Sequence, residues 1–396
     1  MKVKYFYLCA ALFALNSCTN EIIEDGFVDK SNTISFNSYT SKSRAAVGAD
    51  VTTDNMKGDS FGVAGYTDNN NIYLYKKDNT DNKGVEQTWK GSSWEYANLG
   101  DLKYWPNSSM DFYAYFPYSD NATFAESDAT VDVMTIAGTT CAHDVLFAKA
   151  TSGKIDRVPL TFYHAFSKIK KLQIEMPSDG NLYNSKCQVT VQKVEFINTS
   201  TEGDIKVDNT GTASYKIATN NVTFKEDLTS SPVTIKSTST DNSKALIDNG
   251  ENAKGYLFAT SSSSDATNNV KGTGKTLWDG DKTSVTSAGG TLSGSELVCL
   301  KLTCKVWNGA DDNKYYYVGN DATYGEIYIP IKAKLDSDIT PGADKTALLA
   351  GKRYTYIIKM KDNVGFTDEG DPILTPILFE VSSVDDWNDV TVTITL

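Results

Sequence analysis

Apolar residues recur at every second position through most of the chain after about residue 30, the period of a strand with one buried face. In "ELVCLKLTCKVW" (296–307) the alternation puts Val298, Leu300, Leu302, Cys304 and Val306 on one face. A polar turn follows, and "YYYVG" (315–319) reads as the returning strand. "EIYIPI" (326–331) alternates Ile327, Ile329 and Ile331, and Pro330, which has no N–H to give a ladder, marks it as an edge strand. "CQVTVQKVEFI" (187–197) changes face between Val191 and Val194, which predicts a β-bulge near Gln192 and Lys193. "RYTYIIKM" (353–360) is a further strand, with "DKTALLAG" before it read as one or two helical turns closed by Gly351. No stretch after the N-terminus carries a long 3.6-residue period, so the fold class is all-β, built of short strands in β-sandwiches.

Polar, turn-rich "YKKDNTDNKG" (75–84) and "TSSSSDATNNVKGTGKT" (260–276) read as loops. The strand ending in "MPSDGN" (176–181) is the expected domain boundary, and 396 residues leave room for two domains. The last stretch, "DVTVTITL" (389–396), alternates Val390, Val392, Ile394 and Leu396 with threonines and needs a partner to bury its apolar face.

The first residues change the picture. Lys2 and Lys4 precede an apolar run of eleven residues (5–15), too short to span a membrane and laid out as a secretory signal peptide. Ser17 followed by Cys18 resembles a bacterial lipobox, in which Cys18 is acylated and becomes the new N-terminus. Asn16 departs from the usual lipobox, which keeps plain secretion open as the alternative.

The net charge of −12 and pI near 4.8 argue against a nucleic-acid partner, which would need clustered Lys and Arg. Cys141, Cys187, Cys299 and Cys304 form no dense disulfide framework, and their pairing state is open. Cys299 and Cys304 lie on opposite faces of one strand and cannot easily bridge each other.

Enzyme chemistry finds no support in the residues. There is no G-x-S-x-G elbow, and "KGTGKT" (271–276) lacks the upstream glycine of a phosphate loop. "DNTDNKG" places Thr80 where a calcium loop wants Asp or Asn. His164 shares a face with Phe162 and Phe166 and reads as a packed histidine; His143 and Asp144 are neighbours that point apart. No catalytic residue, metal or cofactor is expected. Trp94 and Trp105 are expected in a core. Trp89 fits either a core position or a ligand contact that stacks on sugars.

Seven segments in order resemble the fimbrillins, pilin subunits of type V pili: "DSFGVAGY" (59–66), "KYWP" (103–106), "DFYAYFPYS" (111–119), "DVLFA" (144–148), "VPLTFYHAFSKIKKLQIEM" (158–176), "AGKRYTYIIKM" (350–360) and "VSSVDDWND" (381–389). The resemblance implies two transthyretin-like β-sandwich domains in tandem, over 45–178 and 179–396, behind a signal segment (1–18) and a propeptide (19–44). It also implies lipoprotein export to the outer membrane, cleavage by an arginine-specific protease, and polymerisation by donor-strand exchange into a cell-surface fimbrium for adhesion. The cleavage arginine matches Arg44, before Ala45, in "SKSRAAVG".

In that scheme Ile34 and Phe36 belong to a displaced first strand, and Val390, Val392, Ile394 and Leu396 form the donor strand (389–396). Burying four such side chains contributes roughly 6–12 kcal/mol before ordering costs of about 1–2 kcal/mol per residue. The implied partners are other copies of the chain in a head-to-tail filament, tip and anchor pilins, and the outer membrane through the lipid. The rival expectation is a non-polymerising surface lipoprotein, tip adhesin or anchor that binds host or glycan ligands, its last strand completing its own sheet.

Overall fold

In a computed structural model the protein is described over residues 32–40, 53–176, 187–218, 224–237, 242–249, 255–260, 269–308, 314–331, 347–360, 367, 378–384 and 388–395. The fold is all-β. Among the described residues the strands form four sheets, and the one α-helix, Lys282–Ser287, has six residues. No helix among them is long and apolar enough to cross a membrane.

The first sheet runs in the order Phe36–Thr40, Val158–His164, Leu146–Ser152, Met110–Phe116, Ser60–Thr67, Val85–Trp89, Trp94–Tyr96, with Ile72–Leu74 also on Ser60–Thr67. Its central strands are apolar on both faces because both are covered. Ser60–Thr67 sends Phe61 and Val63 to one core and Ala64 and Tyr66 to another, and Met110–Phe116 divides Phe112 from Tyr113 in the same way. The sheet curls until its ends meet. The Tyr96 hydroxyl donates to the Ile34 carbonyl at 2.9 Å, and the Ile34 amide donates to the Lys103 carbonyl at 3.0 Å. Around the inside of the curl pack Ile34, Phe36, Phe61, Phe112, Phe162 and Trp94.

The second sheet packs on the outside of the curl and joins Met134–Thr140 to Glu202–Val207, with Ala213–Ile217 and Val270–Lys271 beyond. Its strands come from both sides of residue 178, and residues 177–181 of the expected boundary lie outside the described residues. The third sheet (Ser243–Asp248, Phe166–Glu175, Lys352–Lys359, Asn388–Thr395, Leu378–Val384) faces the fourth, which is centred on Gln188–Ile197 and Leu297–Asn308. Leu172 and Ile174 from one and Val191, Leu300 and Leu302 from the other share a core, as two stacked sheets require.

The alternation holds where it was clearest. Val298, Leu300, Leu302, Cys304 and Val306 are all buried. The register of Gln188–Ile197 against Leu297–Asn308 shifts between Val191 and Lys193, the site of the expected bulge. Gly325–Ile329 pairs with Leu297–Asn308 along one side, ahead of Pro330.

Three expectations need correction. The stretch 260–276 is not wholly loop: Val270–Lys271 pairs with Ala213–Ile217, Val270 is buried in the core there, and Thr276 lies opposite Leu297. Residues 76–83 are not a loop: Lys76–Asp78 and Asp81–Lys83 form a hairpin turning at Asn79 (φ 50°). The side chain of Asn82 is buried and donates to the Phe124 carbonyl at 3.3 Å, so a tertiary contact overrides a polar sequence. The described part of "DKTALLAG" is not helical either, since the Leu348 amide and carbonyl are taken by the Thr260 side chain and amide at 2.8 Å each. Gly351 does adopt a left-handed φ of 70°.

Candidate functional site

The first strand, Phe36–Thr40, lies parallel to Val158–His164 with Phe36 opposite Val158 and Thr40 opposite Phe162. Parallel partners need a crossover connection, and here more than a hundred residues separate the two strands in sequence. The first strand is thus an edge element seated in a groove that the rest of the chain builds. Ile34 and Phe36 are fully buried, and Ser38 takes the next inward position.

The Phe36 ring meets Phe112 edge-on at 5.5 Å and Phe61 at 6.2 Å. Phe61 in turn meets Phe162 at 5.5 Å and Trp94 at 4.8 Å, and Trp105 meets Phe112 at 5.8 Å. Such edge-to-face contacts each contribute about 0.5–1.5 kcal/mol beyond area burial. Tyr96, whose hydroxyl holds the Ile34 carbonyl, has its phenol pushed above the usual range chiefly by burial, so it stays a neutral donor.

The last strand, Asn388–Thr395, is seated elsewhere. It runs parallel to Lys352–Lys359, with Val390, Val392 and Ile394 opposite Tyr354, Tyr356 and Ile358, and antiparallel to Leu378–Val384 on its other side. Leu396 lies outside the described residues, as do Cys18, Arg44 and Ala45. The first and last strands are therefore in different sheets of this chain.

Trp94 and Trp105 are in the core of the curled sheet. Trp89 packs on the rim of that core, edge-on to Trp94 at 5.6 Å, with the Lys57 ammonium 5.0 Å from its ring centre. His164 is buried and its Nδ1 lies 2.7 Å from Asp144 Oδ2, a pairing that sequence neighbourhood assigned to neither residue. Lys275 of "KGTGKT" is buried and donates to the Asn198 carbonyl at 2.8 Å, and burial lowers its pKa. Asp81 of "DNTDNKG" sits in the hairpin, and no group of three or more metal-ligating side chains occurs among the described residues.

Sequence reasoning missed the groove walls. Val158, Leu160 and Phe162 carry a plain period-2 signal, but nothing local says that their partner is residues 36–40. The same holds for Gln87, fully buried inside the curl with neither side-chain amide atom hydrogen-bonded.

The Fimbrillin-like family model matches residues 43–387, most of the chain, and the protein belongs to this family. Among solved structures it is similar to a fimbrial protein from Bacteroides vulgatus ATCC 8482, with 16% identity and a TM-score of 0.46 over 76% of this chain and 90% of that one. It is also similar to the fimbrial anchor protein Mfa2 from Porphyromonas gingivalis, with 8% identity and a TM-score of 0.24 over 50% and 82%. No curated protein matches.

Proposed function

We propose that the chain is a structural pilin of a bacterial surface fimbrium, exported as a lipoprotein through Cys18, cleaved after Arg44 and polymerised by donor-strand exchange. The observation that carries this reading is the seat of the first strand. Ile34 and Phe36 fill an aromatic groove from an edge position, so their loss leaves the sheet open along Val158–His164 without cutting into any other strand. An exposed apolar groove beside an unpaired strand edge is a site for strand addition, with main-chain bonds giving affinity and alternate side chains giving register.

In this reading Val390, Val392, Ile394 and Leu396 of a neighbouring subunit replace Ile34, Phe36 and Ser38, and repetition of the same step builds a head-to-tail filament. Cleavage before Ala45 also separates the subunit from its lipid and hence from the outer membrane.

A second reading has one observation in its favour. Asn388–Thr395 lies between two strands of its own sheet, as a non-polymerising surface lipoprotein, tip adhesin or anchor subunit would keep it. Digestion of the 19–396 chain with an arginine-specific protease separates the two, followed by N-terminal sequencing and an unboiled denaturing gel, with the same chain ending at residue 388 as control. A new N-terminus at Ala45 and a ladder that vanishes in the truncation support the pilin. Cleavage at Arg44 that leaves only monomer moves the assignment to the tip or anchor.

A further inference from the structure

Only three of the 38 Lys and Arg residues are arginine, at 44, 157 and 353. Arg353 is nearly buried within Lys352–Lys359, between Lys168 on one neighbouring strand and Asp389 on the other. Arg157 is exposed. It ends the connection 153–157 between Leu146–Ser152 and Val158–His164, and an open groove of about 640 Å³ lined by Ser35, Asn37, Ile155, Asp156 and Arg157 lies beside it.

The residues that follow Arg157 are held quite differently. Val158 is fully buried and its amide donates to the Ser35 carbonyl at 2.7 Å. From 158 to 162 the ladder of this strand is with residues 36–40. Its pairing with Leu146–Ser152 consists of Phe147 opposite Tyr163 and Leu146 opposite His164, at the far end. An endopeptidase must draw several residues on both sides of the scissile bond into an extended, accessible form. Here the arginine side is open and the valine side is locked by the first strand.

We propose that the Arg157–Val158 bond is a second processing site, closed while strand 36–40 is seated and opened when it leaves. The agent is an arginine-specific endopeptidase. One water is consumed, the C–N bond breaks, and a carboxylate on Arg157 and an ammonium on Val158 result. This rests on the reading that the first strand is removed from the chain. Its consequence is a check on assembly. A subunit that has lost its first strand and gained no donor is cut through the wall of its own groove, whereas a filled groove keeps 158–162 laddered and intact. The scarcity of arginine fits such a scheme, because every other basic residue is a lysine that the same protease ignores.

The test uses the 19–396 chain, R44Q, and R44Q carrying F36A, each digested with an arginine-specific endopeptidase. N-terminal sequencing follows the time course, and hydrogen exchange follows 158–162, with 297–308 as the folding control. F36A loosens the first strand without any cut at residue 44. Cleavage at Val158 is expected at least about tenfold faster in F36A/R44Q than in R44Q, since slow cleavage tracks the open population. Excess synthetic peptide of residues 32–40 should slow it. Equal rates in the two variants overturn the proposal. So does an uncut F36A/R44Q chain whose 158–162 amides exchange freely. A wild-type chain that resists cutting at Arg44 while F36A/R44Q is cut at Val158 upholds the gate and sinks the removal reading alone.

Discussion

Replacing Phe36 with alanine is the sharpest probe of the groove. The ring is fully buried and touches Phe61 and Phe112 edge-on. Phe→Ala changes at such sites cost about 3–5 kcal/mol, counting lost transfer energy and the cavity left behind. Because the ring leaves the groove when the strand opens, this cost falls on the equilibrium between seated and open first strand. At about 1.4 kcal/mol per factor of ten, the open population rises by roughly two to three and a half orders of magnitude.

The assay is capture of a fluorescent peptide of residues 388–396 by the uncut 19–396 chain, followed by polarisation. F36A should capture the peptide at least about a hundredfold faster than wild type, until peptide attack becomes limiting. L302A is the control. Leu302 is just as buried, in the core between the third and fourth sheets, and its loss costs a comparable about 2–5 kcal/mol without touching the groove. If L302A raises capture as much as F36A, the peptide is binding unfolded chain, and the groove argument is refuted. No gain from F36A refutes it equally.

Gln87→Leu should stabilise the chain by about 1–3 kcal/mol, because both side-chain amide atoms are buried without a hydrogen-bond partner, and a rise in urea midpoint at unchanged m-value reports it. Burial pushes the thiols of Cys187 and Cys304 up to about 12. At pH 8 each is then expected to react with iodoacetamide roughly three orders of magnitude more slowly than an exposed cysteine. Peptide mass mapping with and without denaturant checks this, and labelling of either residue at an ordinary thiol rate in the native chain contradicts the packing described.

What the sequence made legible was whatever is encoded locally. A change of phase between Val191 and Val194 announces a bulge, and the imino ring of Pro330 announces an edge, because each follows from the backbone chemistry of one or two residues. Trp94 and Trp105 were readable as core from their strand-rich surroundings. The hairpin at 76–83 was not, since its sequence is polar and its order comes from Asn82 reaching Phe124 some forty residues away. Nor did any local signal place 134–140 beside 202–207, across the expected boundary at 178. The candidate site suffers most from this limit. Ile34 and Phe36 advertise a strand, yet the groove that gives the strand its meaning is assembled from residues 61 to 162, and only their pairing in space reveals it.

The seat of the last strand sets what donation requires. To leave its own sheet, Asn388–Thr395 must give up ladders on both sides. A neighbour's groove offers one edge, Val158–His164, so the bonds remade there replace only one of the two ladders, and each bond not remade costs about 0.5–1.5 kcal/mol net. Side chains decide little more. A donor brings an aliphatic residue to the position of Ser38 and gains there, but it brings none of the ring contacts that Phe36 makes with Phe61 and Phe112. Affinity alone therefore does not drive the exchange.

Covalent attachment of the first strand weighs against it further. While joined to its chain the first strand acts at an effective concentration of the order of millimolar, and once cut free into micromolar surroundings it loses about a thousandfold, or about 4 kcal/mol, of that advantage. On the proposed route the commitment to assembly thus lies in the cut rather than in the donor. An uncut subunit stays closed in the presence of any number of neighbours, for the same reason that its Arg157–Val158 bond stays out of reach.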